Sequence, residues 1–165
     1  MPEGVRIDRP EVADGAALWR IARDSRTLDL NSSYSYLLWC RDFASTSAVA
    51  RDTSGEPVGF ITAYSRPERP GTLLVWQVAV DAAQRGRGLA RALLDGLTAR
   101  VARERDLAAV ETTITPGNTA SERLFTSFAE RHGAPLERRV LFSTGQFPDG
   151  PHDPEVLYRI GPLSL

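Results

Sequence analysis

The sequence has no lysine. All 20 of its basic residues are arginine, set against 21 acidic ones, and the net charge is −1. A Schiff-base lysine, a P-loop lysine and a lysine general base are excluded within these residues. Cysteine is nearly absent as well. Cys40 stands alone, which excludes an internal disulfide and a cysteine-built zinc site. The two histidines, His132 and His152, lack a ligand set around them, so no metal is expected. Long apolar runs are missing too. Leu73 to Trp76 and Val78 to Val80 fall far short of the about 20 apolar residues that a membrane-crossing helix needs. The start, Met1 to Arg6, shows no basic stretch followed by an apolar segment, so no secretory signal is expected. Together these features imply a reducing, cytoplasmic setting without a membrane partner. The even charge balance leaves no footprint for nucleic acid.

What is present is the composition of a folded protein: 165 residues, 42% hydrophobic and 25% charged. That length implies one domain over residues 1–165. Val5 to Arg9 alternates like a strand. Pro10 to Asp14 reads as a helix start, with proline and acids at the positive end. Val12, Ala16, Leu18, Trp19 and Ala22 then give a helical stripe. Ser32 or Ser33 can cap a second helix, Tyr34 to Phe43. Ala48–Arg51 and Pro57–Tyr64 flank a turn and read as a hairpin. Arg66 to Gly71 reads as a loop, and Leu73–Val80 as a strand buried on both faces. Leu89 to Arg105 is an amphipathic helix. Ala108–Ile114 is a strand, followed by a helix capped by Asn118 and ending near Arg131. Glu137–Ser143 and Glu155–Ile160 supply the last strands. The order β, α, α, β, β, β, α, β, α, β, β is that of a mixed α/β (α+β) domain, a central sheet flanked by helices.

The chemically informative stretch is Gln84-Arg85-Gly86-Arg87-Gly88-Leu89-Ala90, where a buried strand passes through glycines into a helix. Main-chain N–H groups there lack partners, the helix dipole adds positive charge, and Arg85 and Arg87 add full charges. Glycines let the backbone approach a ligand closely. That combination suits a diphosphate. It is not a P-loop, having no lysine. It is not the dinucleotide G-x-G-x-x-G pattern either, since Arg91 stands where the third glycine belongs. A tight turn with solvated arginines is the purely structural alternative.

This stretch resembles the acetyl-CoA loop Q/R-x-x-G-x-G/A of the GNAT superfamily of N-acetyltransferases, and the element order matches that fold. Asn118, with Ala120, Leu124 and Phe125, resembles the family's second cofactor segment. The resemblance implies acetyl-CoA as co-substrate. Main-chain groups along Val78, Ala79 and Val80 would hold its pantetheine like an added strand. Amides from Arg85 through Gly86, Arg87, Gly88 and Leu89 to Ala90 would hold its diphosphate, and Asn118 would sit near its sulfur end. Many members carry a tyrosine acid at the position of Phe125. Its replacement implies that the thiolate is protonated by water or another group.

The pieces Leu-Asp-Leu-Asn-Ser-Ser-Tyr (28–34), Tyr-Leu-Leu-Trp-Cys (36–40) and Pro-His-Asp-Pro-Glu-Val-Leu-Tyr (151–158) resemble one subgroup more specifically, the diaminobutyrate acetyltransferases of ectoine biosynthesis. That subgroup implies a cytoplasmic homodimer that acetylates the 4-amino group of L-2,4-diaminobutanoate. Asp29 and Glu155 are the candidate cation partners, with Ser32, Asn31 or a nearby arginine for the carboxylate and Trp76 as an apolar or cation–π wall. Tyr34 and His152 can orient groups or relay protons. Glu155 and His152 are the two candidates for the catalytic base. Each has a structural alternative: Asp29 and Ser32 as helix caps, Trp76 as core, His152 as a loop residue, and Cys40 as a buried small hydrophobe. Glu111 turns either inward or to solvent. The competing functions are acetylation of another small amine and CoA sensing without catalysis.

Overall fold

The computed structural model describes residues 2–165. The elements follow the order expected from the sequence: β1 (Arg6–Asp8), α1 (Gly15–Ser25), α2 (Ser33–Asp42), β2 (Ala48–Arg51), β3 (Pro57–Arg66), β4 (Arg69–Val80), α3 (Leu89–Glu104), β5 (Ala109–Ile114), α4 (Thr119–Arg131), β6 (Leu136–Phe142) and β7 (Glu155–Ile160). By its contacts the chain divides into two compact units. The first holds the residues up to Tyr64 with Trp76–Arg105; the second holds Ser65–Val75 with Asp106–Leu165.

In the first unit the strands run β1-β2-β3-β4. β1 pairs antiparallel with β2 (Ile7↔Ala50), and β2 with β3 (Val49↔Phe60). The apolar stripe of α1 (Leu18, Ile21, Ala22) packs with Tyr36 and Cys40 of α2 on Val49, Phe60 and Ala79. Leu89, Leu93, Leu94, Leu97 and Val101 make the buried face of α3. These positions recur every three to four residues, as a helix lying on a sheet requires. Asp14 and Arg51 form a buried bidentate pair at 2.8 Å, joined by Asp8 at 3.1 Å. Burial pushes the Asp14 carboxyl up, but the Arg51 hydrogen bonds, the Glu11 main-chain N–H and the Arg51 charge together hold the group below the usual carboxylate range.

In the second unit the order is β4-β5-β7-β6. β4 and β5 are parallel (Thr72↔Ala109 to Val75↔Thr112), and β5–β7 and β7–β6 are antiparallel. Phe125, Phe128 and Ala129 are the buried side of α4.

Three sequence expectations change, and one open alternative, at Glu111, is decided. Residues 66–71 are not a loop: β3 and β4 are joined by a two-residue turn at Pro67-Glu68. The helix does not start at Pro10. A 3-10 turn, Val12–Asp14, comes first, because Asp14 is drawn inward to Arg51, and Val12 is left 50% exposed outside the stripe. The Leu73–Val80 run is not buried on both faces. Leu73, Val75, Gln77 and Ala79 are buried, whereas Leu74, Trp76, Val78 and Val80 are half-buried, the period-2 alternation of a strand with one closed face. Glu111 turns inward, 4% exposed, with Arg159 at 2.9 Å and Arg66 at 3.7 Å. Paired guanidinium groups are what make a buried carboxylate tolerable.

Candidate active site

The glycine turn lies in the first unit, between a 3-10 turn (Ala82–Gln84) and α3. Gly86 and Gly88 take left-handed backbone, with φ of 79° and 76°. This conformation costs a residue with a Cβ about 1 kcal/mol or more. A Cβ built on either glycine meets nothing within 4 Å, so the space over the turn is open. Gly88 is the N-cap of α3, and the first internal acceptor is its own carbonyl, bonded by Ala92 N–H at 3.0 Å. The N–H groups of Leu89, Ala90 and Arg91 therefore have no intrahelical acceptor. Arg20 pairs with Asp81 at 3.1 Å, anchoring the strand end to α1. Arg87 is drawn back to the Gln84 side chain and to the Glu3 carbonyl. The cradle is thus chiefly main-chain N–H and helix dipole, which suits an anion. β4 runs five residues, Trp76–Val80, beyond Val75, its last partner in the β5 register. Its edge N–H and C=O groups there suit an extended ligand added as a strand.

The acceptor residues of the first unit cluster around the segment between α1 and α2. Arg26 ends α1 in left-handed backbone (φ 58°), and residues 29–32 carry no regular structure. Asp29 is exposed, and its carbonyl accepts from Gln77 Nε2 at 2.9 Å. Ser32 is the N-cap of α2: its Oγ accepts from Ser35 N–H at 3.3 Å. Tyr34 is 65% exposed on the first turn of α2. Trp76 is half-buried, stacked against Trp39 (4.5 Å, 25°) and Tyr36 (6.0 Å, 27°). Gln77, next to Trp76 in the chain, thus ties the Asp29 main chain to β4. Cys40 is 3% exposed, and burial, then the nearby Asp14 charge, push its thiol up to about 11. It is a core residue rather than a nucleophile.

In the second unit Asn118 caps α4, its Oδ1 accepting from Ser121 N–H at 3.3 Å. Phe125 is 2% exposed, so its ring belongs to the core beneath the helix. His152 stacks on Phe147 (3.8 Å, 8°), and its Nδ1 faces the Asp153 carbonyl. A carbonyl only accepts, so Nδ1 carries the proton in this contact. Glu155, half-buried, opens β7. Gln77 and Tyr36 lie in stretches that the sequence marks as candidates for the acceptor end, but the sequence assigns neither a role. The signal available was a single amide in an otherwise apolar run.

An anion cradle at a strand–turn–helix junction, beside a strand with an open edge, suits a cofactor that carries a diphosphate on an extended arm. The chain belongs to the acetyltransferase (GNAT) family, whose model matches residues 16–129. It is 79% identical over 164 residues to the L-2,4-diaminobutyric acid acetyltransferase of Streptomyces avermitilis, covering 99% of this chain and 92% of that one. It is 44% identical to the enzyme of the same name from Marinococcus halophilus, covering 98% and 92%. Among solved structures, the diaminobutyrate acetyltransferase EctA from Paenibacillus lautus, in complex with its substrate L-2,4-diaminobutyric acid and coenzyme A, superposes with a TM-score of 0.92. It is 42% identical and covers 100% of this chain and 98% of that one. The fold is the mixed-sheet GNAT fold. Among the described residues no helix is long and apolar enough to cross a membrane.

Proposed function

We propose that this chain transfers the acetyl group of acetyl-CoA to the 4-amino nitrogen of L-2,4-diaminobutanoate, releasing CoA and (2S)-4-acetamido-2-aminobutanoate, the precursor that ring closure turns into ectoine, an osmoprotectant. The observation that carries it is the whole-length likeness to an enzyme bound to that amino acid and to CoA. Main-chain groups of Val78, Ala79 and Val80 bind the pantetheine, and amides from Gly86 to Ala90 bind the diphosphate, where both glycines leave open space; the Arg85 N–H is bonded to the Ala82 carbonyl, which leaves its guanidinium for the anion. Asn118 faces the thioester end. Phe125 supports α4 from below and offers no proton, so the departing thiolate takes its proton from water or from another group. A thiol of reference pKa about 8.5 is a tolerable leaving group.

The attacking nitrogen must be neutral. For an alkyl ammonium of reference pKa about 10.4, that costs about 4–5 kcal/mol at pH 7. Glu155 or Nε2 of His152 removes the proton. Asp29 holds the 2-ammonium group, Ser32, Asn31 or a nearby arginine receives the carboxylate, Tyr34 orients the ligand or relays a proton, and Trp76 closes one wall. The enzyme works in the cytoplasm as a homodimer. β6 is paired on one side by β7 and exposes Val140 (55%) and Phe142 (45%), an apolar edge that a second copy would cover.

The test is an acceptor series with CoA release as readout. Diaminobutanoate should exceed 1,4-diaminobutane in kcat/KM by about a hundredfold, the loss of a charge-assisted carboxylate contact. Equal or better use of the diamine would mean another small-amine acetyltransferase. CoA binding without thiol release for any amine would mean a sensor.

A further inference from the structure

Gln77 is the one polar side chain in the run Leu73–Val80, and it is 4% exposed. A buried amide without partners costs about 1–3 kcal/mol. Here Nε2 donates to the Asp29 carbonyl at 2.9 Å, and Oε1 accepts from the Tyr36 hydroxyl at 2.9 Å. The main-chain N–H of Gln77 is itself fixed by Thr62 Oγ1 at 3.2 Å. Tyr36 is 0% exposed, and its ring stacks on Trp76 at 6.0 Å and packs edge-on to Phe60 at 6.2 Å. Burial raises the Tyr36 pKa against the hydrogen bonds to Asn31 and Gln77, so the hydroxyl stays a neutral donor. The irregular, exposed chain around Asp29 is therefore tied to a strand 48 residues away in sequence.

We propose that Gln77 and Tyr36 are positioning residues, a buried latch that holds the Asp29 segment and the Trp76 ring as one surface for the acceptor amino acid. The proposal rests on the diaminobutanoate reading above. Neither residue has the exposure to touch a ligand. Their effect passes through Asp29, whose main chain Gln77 grips, and through Trp76, whose ring Tyr36 supports. An ordered segment binds with less loss of conformational entropy. The latch therefore governs capture and selection of the amino acid, and leaves the cofactor cradle alone.

Gln77→Met keeps the length and removes the amide; Tyr36→Phe keeps the ring stack and removes the donor. Gln77→Met should raise the KM for diaminobutanoate about tenfold while the KM for acetyl-CoA stays within about twofold. Amide hydrogen exchange over residues 27–33 should quicken about tenfold, with α3 unchanged. Tyr36→Phe should move both readouts the same way by less, and the double variant should be no worse than Gln77→Met, as expected of two groups acting as a unit. Unchanged exchange over 27–33, or parallel rises in both KM values, would overturn the latch. If the unaltered protein does not acetylate diaminobutanoate, the functional reading fails, while the exchange comparison still decides the latch.

Discussion

Single side chains divide into those proposed to touch the acceptor and those that hold the molecule together. Asp29 and Glu155 are proposed for the first group because they carry charge of the sign that a doubly ammonium substrate needs. Asp29→Asn or Glu155→Gln should lower kcat/KM for diaminobutanoate by about a hundredfold, the order of a lost charge-assisted hydrogen bond. CoA affinity, read by calorimetry, should stay within about twofold; equal loss of both would assign these residues to folding instead. Ser32 shows how local logic is readable: a serine just before a helical stretch is its cap, and Ser35 N–H bonds to it. Asp14 shows the opposite. Its partner Arg51 lies 37 residues away, and nothing local to either residue announces the pair.

At the scale of elements, the turn before α3 is the feature most exposed to test. Gly86→Val would force a β-branched residue into left-handed backbone and fill the space over the cradle. The KM for acetyl-CoA should rise at least about tenfold with the diaminobutanoate KM little changed; unmoved cofactor kinetics would contradict the placement. The order of all eleven strands and helices was legible because period 2 and period 3.6 alternate cleanly along the chain. The Arg66–Gly71 stretch misled because two prolines and a glycine favour a loop, yet only Pro67-Glu68 is needed to turn the hairpin. The open glycine turn and the Asn118 helix cap were legible in the sequence. The support beneath the acceptor half was not, since Gln77 and Tyr36 meet only through the tertiary fold.

For the whole molecule, each compact unit is assembled from two separated stretches of chain, and β4 contributes to both. Neither unit is a continuous segment able to fold alone, so we propose that the protein unfolds in one cooperative transition. The Asp14–Arg51 pair gives that transition a pH signature. Its carboxyl is held low in the fold, so its stabilising contribution is present above about pH 4 and is lost as pH falls through the folded value. Asp14→Asn, which leaves a buried guanidinium short of its partner, should cost about 3–5 kcal/mol in urea unfolding at pH 7. The gap to the unaltered protein should narrow at pH 3; a gap independent of pH would contradict the charge argument. The central claim concerns one nitrogen, and the most direct measurement is mass spectrometry of the product formed from acetyl-CoA and L-2,4-diaminobutanoate, with fragmentation to locate the acetyl group. Acetyl on the 4-nitrogen alone is the predicted result; acetyl on the 2-nitrogen, a mixture of both, or no product would contradict the account.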